Sequence, residues 1–175
     1  MPDPLHSLTV RIVGATATDL AAVGKLAGEI WRKHYPGIIT PAQIEYMLAR
    51  GYSRDALQRF VDEAGAGLAL GYVGERLTGF AAYYRSEHAG EIKLDKLYVH
   101  HDYHGRGVGS RLIAHVEAAA RAQQRTTIVL NVNRHNVKAI AAYEKNGFAV
   151  RASVVVDIGG GFVMDDYVMA KQLTT

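Results

Sequence analysis

The sequence predicts an α/β domain built on one mixed sheet, and three observations lead to this fold class. Segments with the two-residue period of strands alternate with segments that have the period of helices, in the order β-α-α-α-β-β-β-α-β-α-β-β. A glycine-rich turn at residues 105–109 joins a strand to a helix past the middle of the chain. With 49% hydrophobic residues among 175, the chain is expected to form a single domain over residues 1–175.

The N-terminal half is predicted to hold one strand, three helices and a hairpin. Alternating β-branched residues favour the strand, and Thr18 or Asp19 can cap the helix that follows. Thr40 is a candidate N-cap, with Pro41 at the first helical position and Gln43 three residues on, which is the pattern of a capping box. Ser53 is the candidate N-cap of the next helix. The predicted bounds are a strand at 8–13, helices ending near 34, 50 and 64, and hairpin strands at 68–73 and 77–85.

The C-terminal half is predicted to alternate strands and helices. Gly147 is expected to close the second of its helices, because glycine is common just after a helix C-cap. The run Gly159–Gly161 is expected to be a flexible break that lets the last segment fold over a cleft. The predicted bounds are strands at 91–100, 127–133, 148–158 and 164–171, and helices at about 107–123 and 137–146.

The composition excludes several classes of protein. There is no apolar run near the ~20 residues that span a bilayer, and the N-terminus MPDPLHSLTV lacks the pattern of a secretory signal. The chain has no cysteine, which fits a cytoplasmic protein and excludes disulfides and thiolate chemistry. A net charge of +3 suits a polyanionic small ligand but is too weak to indicate nucleic acid. We therefore expect no nucleic-acid or membrane partner, and the sequence is compatible with a homodimer.

The turn His104-Gly105-Arg106-Gly107-Val108-Gly109 is a candidate anion site. Its glycines leave backbone N–H groups open where a helix begins, and the helix dipole favours negative charge there. No lysine follows as in a nucleotide P-loop, and Ser110 stands where a dinucleotide fingerprint has its third glycine. The turn therefore predicts either a cradle for a phosphorylated ligand or a tight turn whose glycines serve packing.

A second motif lies in the next helix, which begins at Asn136. At 3.6 residues per turn, Asn136, Ala139, Tyr143 and Gly147 share one face. The small alanine one turn before Tyr143 lets the tyrosine hydroxyl reach a narrow cleft, although a lone tyrosine on an apolar helix is more often a core residue.

Together the two motifs resemble those of the GNAT superfamily of acetyl-CoA-dependent N-acetyltransferases, and the element order is similar over essentially the whole chain. The resemblance implies a mostly antiparallel mixed sheet flanked by helices, with central strands 91–100 and 127–133 splayed around the pantetheine arm of acetyl-CoA. The strand end near Leu97 would contribute mainly backbone groups, and His104 replaces the arginine or glutamine that opens the family's motif. The implied cofactor-binding residues are Leu97, Tyr98, Val99, His104, Gly105, Arg106, Gly107, Val108, Gly109, Ser110, Asn136 and Tyr143.

The resemblance also implies direct attack of a primary amine on the thioester in a ternary complex. Tyr143 would protonate or hydrogen-bond the leaving thiolate, and a backbone N–H near residues 97–99 would meet the oxyanion. Asp95 is the candidate base that frees the amine lone pair, with Glu91 as the fallback, and a strand aspartate that only pairs with Lys93 or another neighbour is the alternative.

The acceptor is predicted to be a small amine or polyamine held in a mildly acidic pocket. Asp95, Asp165 and Asp166 are the candidate carboxylates. Trp31 and Tyr35 are candidate walls of the pocket, although such residues more often pack in a core or a lid. A protein or peptide amine, or a non-catalytic acyl-CoA-binding module, are the alternatives. No metal site is expected, because His100 and His101 lack a third ligand at metal spacing.

Overall fold

A computed structural model describes residues 9–174, which form one seven-stranded sheet with helices on both faces. The strands are β1 (Val10–Gly14), β2 (Gly67–Val73), β3 (Arg76–Arg85), β4 (Glu91–Val99), β5 (Thr127–Asn133), β6 (Ala149–Gly159) and β7 (Phe162–Gln172). The helices are α1 (Leu20–His34), α2 (Pro41–Gly51), α3 (Arg54–Asp62), α4 (Val108–Ala122) and α5 (Val137–Lys145). Two 3-10 turns cover Ala17–Asp19 and His101–Tyr103.

The predicted fold class and element order are confirmed. The strands lie in the order β1-β2-β3-β4-β5-β7-β6, and only the β4–β5 pair is parallel. Leu8, predicted to begin the first strand, lies outside the described residues, as does most of the N-terminal segment interpreted as lacking a secretory signal. In the part of the chain that is described, no helix is long and apolar enough to cross a membrane.

Two of the predicted helix caps form as the sequence suggests. The Thr40 hydroxyl accepts from the Gln43 N–H at 3.2 Å, and the Ser53 hydroxyl accepts from the Ala56 N–H at 3.1 Å. The reciprocal half of the expected capping box differs, because the Gln43 side chain donates to the Val163 carbonyl at 3.0 Å. The Gln43 amide is thus hydrogen-bonded to a carbonyl of β7, whereas the capping-box pattern predicted that it would contact the N-terminus of its own helix.

The sheet separates two hydrophobic clusters. Helix α4 packs its buried side chains, including Leu112 and Val116, against one face of β2 to β5. Helices α1 to α3 cover the other face, where Leu57 and Phe80 are fully buried. Helices therefore cover both faces of the sheet as far as β4, the strand that then separates from β5.

Strands β4 and β5 pair only at their beginnings. The parallel ladder joins Glu91–Lys93 to Thr127–Val129 and then stops, although β4 continues to Val99. On its other edge β4 stays paired with β3 as far as Val99. The two central strands therefore diverge into a wedge whose apex is at Lys93, as the resemblance implied.

A β-bulge at Asp95 changes which face of the sheet each β4 side chain occupies. Leu94 pairs with Tyr83 and Lys96 pairs with Ala82, so that Asp95 is the extra residue. Leu94 and the later Leu97 both pack on the α4 side, which strict alternation over three residues would forbid. Because of the bulge, the side chains beyond Asp95 lie on the opposite faces of the sheet from those that strict alternation would give them.

The expected flexible break at Gly159–Gly161 is wrong. Gly159 pairs with Phe162, so the glycines make a tight turn in a continuous β6–β7 hairpin, and all three adopt positive φ as such a turn requires. The Tyr46 hydroxyl donates to the Ile158 carbonyl at 2.7 Å, and the Tyr46 ring lies 5.0 Å from that of Phe162. The hairpin is therefore fastened to α2, and it encloses the cleft as a fixed wall.

Candidate active site

The wedge between β4 and β5 opens into a cleft of about 1340 Å³. Its wall is formed by the end of α1, the separated part of β4, the starts of α4 and α5, and residues of β5 and β7. The cleft collects most of the residues that the sequence singled out, which lie up to 135 positions apart (Trp31 to Asp166).

The glycine-rich turn lies at the mouth of this cleft. Gly107 is the N-cap of α4 at φ +80°, Gly105 is at φ +75°, and a Cβ built on either would contact nothing within 4 Å. The backbone conformation, rather than packing, therefore requires glycine there. The first N–H groups of α4 belong to residues that line the cleft, and such groups have no partner within a helix, which is the arrangement of an anion cradle.

Two residues assigned to the cradle have side chains that contact other parts of the protein. Val108 is 1% exposed and lies against Gly71 and Gly79, so only its backbone can serve a ligand. His104 donates from Nε2 to the Val99 carbonyl at 2.8 Å. This hydrogen bond joins the loop to the end of β4, and the role of His104 in binding the cofactor stays a prediction. The Arg106 guanidinium lies 5.1 Å from the centre of the Tyr103 ring, beside the cradle.

Asn136 caps α5 and also joins the two sides of the cleft. Its side-chain oxygen accepts from the Ala139 N–H at 3.4 Å and from His34 Nε2 at 2.9 Å. His34 ends α1, 102 positions away, and no local signal in the sequence marked it. This hydrogen bond fixes the ends of α1 and α5 against each other across the wedge.

Tyr143 lies on the cleft wall, half-buried, with its ring 5.7 Å from that of Phe148. Burial raises the pKa of the Tyr143 hydroxyl, and the nearby Tyr35 adds to the effect. The phenol therefore keeps its proton throughout the neutral range and can act as a hydrogen-bond donor.

The α1 side of the cleft is an aromatic cluster. The Tyr35 and Tyr98 hydroxyl oxygens are 3.1 Å apart, and the Trp31 and Tyr35 rings are 4.3 Å apart. Trp31 and Tyr35 are 3% and 8% exposed. Both residues belong to the core, as one alternative predicted, and both also line the cleft, as the other predicted. Burial raises the pKa values of the Tyr35 and Tyr98 hydroxyls.

Asp95 lines the cleft at the bulge and is paired with a neighbour. Its carboxylate lies 2.9 Å from Lys96 Nζ, and that ammonium group sits over the Tyr52 ring at 4.6 Å. The ring contact holds Lys96 in place, so Asp95 faces the cleft with a fixed counter-charge beside it.

Asp165 and Asp166 are consecutive residues within β7, so their side chains lie on opposite faces of the strand. Asp166 lines the cleft, is 2% exposed, and has one carboxylate oxygen with no hydrogen-bond partner among the described residues. Burial raises the pKa of Asp166, opposed by Asn131 and Lys93. Asp165 is instead ion-paired with Arg134 at 2.6 Å and is not part of the cleft wall. The predicted acidic pair is therefore a single buried carboxylate.

The histidines after β4 have a third potential metal ligand close by. Ligand atoms of His100, His101 and Asp102 lie within 4.8 Å of one another. His100 Nδ1 accepts from the Asp102 N–H at 3.2 Å, and His101 Nε2 is 3.3 Å from the Asp102 carboxylate. These three groups therefore contact one another within the 3-10 turn.

Comparisons with known proteins agree with this geometry. The model of the acetyltransferase (GNAT) family matches residues 28–148. An uncharacterized N-acetyltransferase of Mycobacterium tuberculosis is 24% identical over 89% of this chain and 99% of its own length. The spermidine N(1)-acetyltransferase of Thermoplasma acidophilum is 25% identical over 90% of this chain and 97% of its own.

The fold has close counterparts among solved structures. The crystal structure of the PaiA N-acetyltransferase of Thermoplasma acidophilum, in complex with coenzyme A, superposes with a TM-score of 0.80 at 24% identity and covers 94% of this chain and 99% of that one. The family model spans more than half of the chain and includes the wedge, the cradle and Tyr143. The protein therefore belongs to the acetyltransferase (GNAT) family.

Proposed function

We propose that the protein transfers the acetyl group of acetyl-CoA to a primary amine of a small acceptor, a polyamine, by direct attack within a ternary complex. The observation that carries this proposal is the wedge between β4 and β5. It connects the phosphate cradle on the α4 side to a pocket with aromatic walls and a buried carboxylate on the α1 side. Two substrates entering from these two sides would meet between the strands.

On the α4 side, backbone groups would hold the acetyl-CoA. The N–H groups at the start of α4 suit the pyrophosphate. Beyond Lys93 the edge of β4 that faces β5 has no strand partner within the described chain, so its N–H and C=O groups are open to the pantetheine amides. The same edge, near residues 97–99, would supply the N–H that stabilises the oxyanion.

Two side chains would act on the groups that react, one on the attacking amine and one on the leaving thiolate. Asp95 at the bulge would take the proton that the attacking amine loses, either directly or through water, while Lys96, held over the Tyr52 ring, remains its counter-ion. Tyr143 would donate a hydrogen bond to the leaving thiolate. Because burial raises the pKa of Tyr143, full proton transfer to a thiolate is unfavourable, and stabilisation of its charge is the role that fits.

On the α1 side, the pocket suits an acceptor with a second cationic group. The unpartnered oxygen of buried Asp166 can receive an ammonium, and the Trp31 and Tyr35 rings offer apolar and cation–π contact to the carbon chain. One relative with full-length similarity is named a spermidine acetyltransferase. These features together favour a polyamine.

A panel of acceptors tests the proposal. Spermidine and putrescine should give a higher kcat/KM than a monoamine of equal length, and Asp166→Asn should raise the KM for diamines about tenfold, as for loss of a charge-assisted hydrogen bond. Asp165→Asn is the matched control and should leave that KM unchanged, because Asp165 faces away from the cleft. A preference for peptide amines or for monoamines would refute the polyamine assignment. Unchanged kcat in Asp95→Asn would remove Asp95 from the base role.

A further inference from the structure

Lys93 occupies the apex of the wedge and has no part in the mechanism above. It is the last residue of β4 that pairs with β5, opposite Val129. Its side chain lines the cleft, is only partly exposed, and donates through Nζ to the Asn131 side-chain oxygen. An amine is thus built into the cleft in which acetyl transfer to amines takes place.

The charges around Lys93 are mixed. Asp95, Asp166 and Glu91 favour its ammonium form, and Arg151 opposes it. Burial outweighs these charges and lowers the pKa of Lys93. A larger fraction of this amine is therefore uncharged at neutral pH than of an exposed lysine, and only the uncharged form is a nucleophile.

The shape of the cleft would direct the thioester of a bound acetyl-CoA towards the Lys93 amine. The cradle lies beyond the C-terminal end of β4, and the six steps from Val99 back to Lys93 cover roughly 20 Å of strand. An acyl-pantetheine arm that starts at the cradle and follows the open edge of β4 runs towards the apex. Lys93 also stands beside Asp166, where an acceptor ammonium is expected to bind.

We propose that Lys93 is a self-acetylation site, modified by the acetyl-CoA bound in the same cleft; this inference rests on the proposed function. The Lys93 Nζ lone pair attacks the thioester carbonyl carbon, the new C–N bond forms, and the C–S bond breaks. The proton lost by Nζ passes to a carboxylate beside it, and CoA leaves as a thiolate hydrogen-bonded by Tyr143. The products are N-acetyl-Lys93 and CoA.

The modification would change how the acceptor binds. Acetylation removes the positive charge next to Asp166, so that an ammonium of the acceptor meets less repulsion when it pairs with this carboxylate. A bound diamine would in turn keep the thioester from Lys93. Self-acetylation should therefore be fastest when acceptor is absent.

Lys96 is the internal control for this inference. It also lines the cleft, three residues along the same strand, but its ammonium is ion-paired with Asp95 and covered by the Tyr52 and Phe60 rings. Lys145 lies exposed in the last turn of α5, outside the cleft wall, and reports the background of chemical acetylation. Modification by the enzyme should select Lys93 over both.

The test is mass spectrometry of the intact protein and of its peptides before and after incubation with acetyl-CoA, with CoA as the blank. We expect one acetyl group on Lys93, at a rate independent of protein concentration, saturable in acetyl-CoA and suppressed by spermidine. Tyr143→Phe should slow the modification about tenfold or more, and Lys93→Arg should abolish it.

Acceptor turnover is measured on the same wild-type sample. If Lys93 stays unmodified, or gains acetyl no faster than Lys145, the inference is overturned. Normal acceptor turnover in that case leaves the proposed function standing. Loss of both reactions overturns both. Equal rates in wild type and Tyr143→Phe would show chemical acetylation and would also overturn the inference.

Discussion

At the residue scale, the clearest assignment is the hydroxyl of Tyr143. Its position on the cleft wall and its high pKa suit a donor to a charge that develops only as the thioester breaks. Such a contact lowers the transition-state free energy without strengthening the binding of the ground state.

Replacing Tyr143 with phenylalanine should therefore lower kcat by about 10- to 100-fold, as for a hydrogen bond to a charged group worth ~1.5–3 kcal/mol. The Kd of acetyl-CoA should stay within about twofold, measured by titration calorimetry. Tyr83→Phe is the control, because Tyr83 is a buried tyrosine of the same core that lies outside the cleft wall. An unchanged kcat in Tyr143→Phe would mean that this ring serves packing alone.

Asp166 should lower the stability of the folded protein at neutral pH, although it is proposed to bind the acceptor. Its pKa is raised in the folded protein, so the folded state binds a proton more tightly than the unfolded chain does. The resulting stabilisation is complete below the unfolded pKa and is lost as pH rises through the folded pKa. At neutral pH the buried, partly unpartnered carboxylate therefore carries a net cost.

Asp166→Asn should accordingly raise the Tm at pH 7, by about 2–4 °C if the cost is ~1 kcal/mol, even as it weakens diamine binding. The difference in Tm between variant and wild type should shrink as pH falls towards 4, followed by calorimetry. A lower Tm in the variant at pH 7 would show instead that attraction between Asp166 and Lys93 outweighs the cost of burial.

At the element scale, the start of α4 separates two roles of glycine. Gly107 has a left-handed backbone and open space around it, whereas Gly109 lies inside the helix, where a Cβ would be 3.7 Å from a Val99 methyl carbon. Alanine is thus strained at the first position and well tolerated at the second, in the protein alone.

Gly109→Ala should raise the Tm, since alanine in a helix is favoured over glycine by roughly 0.5–1 kcal/mol, and should still weaken acetyl-CoA binding, because the methyl group would enter the cradle. Gly107→Ala should lower the Tm, through backbone strain of about 1–2 kcal/mol, and should also weaken binding. Thermal unfolding and calorimetric titration separate the two effects. Unweakened binding in Gly109→Ala would place the phosphates away from this turn.

At the scale of the whole molecule, the wedge is held open by connections across it. The hydrogen bond from His34 to Asn136 joins α1 to α5, and the anchor from Tyr46 to the β6–β7 hairpin joins α2 to the far strands. The cleft is therefore largely formed before ligand binds, and binding free energy should appear as stabilisation of the fold.

Acetyl-CoA at about 100 times its Kd should stabilise the protein by ~2.7 kcal/mol, which corresponds to a Tm increase of roughly 5–10 °C for a chain of this size. ATP and NAD at the same concentration should produce little change. Thermal unfolding of one sample with each ligand makes the comparison. A larger shift with ATP than with acetyl-CoA would contradict the assignment of the cradle.

The sequence by itself determined the element order, the helix caps at Thr40 and Ser53, and the two motifs that indicated the family. These features depend on local periodicity, on hydrogen bonds within three or four residues, and on the backbone freedom of glycine, all of which can be read from neighbouring residues.

Only the tertiary structure decided how distant side chains are used. It turned His104 towards the Val99 carbonyl, placed Asp165 and Asp166 on opposite faces of β7, and fastened the glycine turn to Tyr46. It also brought Lys93 to the apex of the wedge. Each outcome depends on partners far away in sequence or on strand register, since a shift of one residue reverses the face on which a side chain lies.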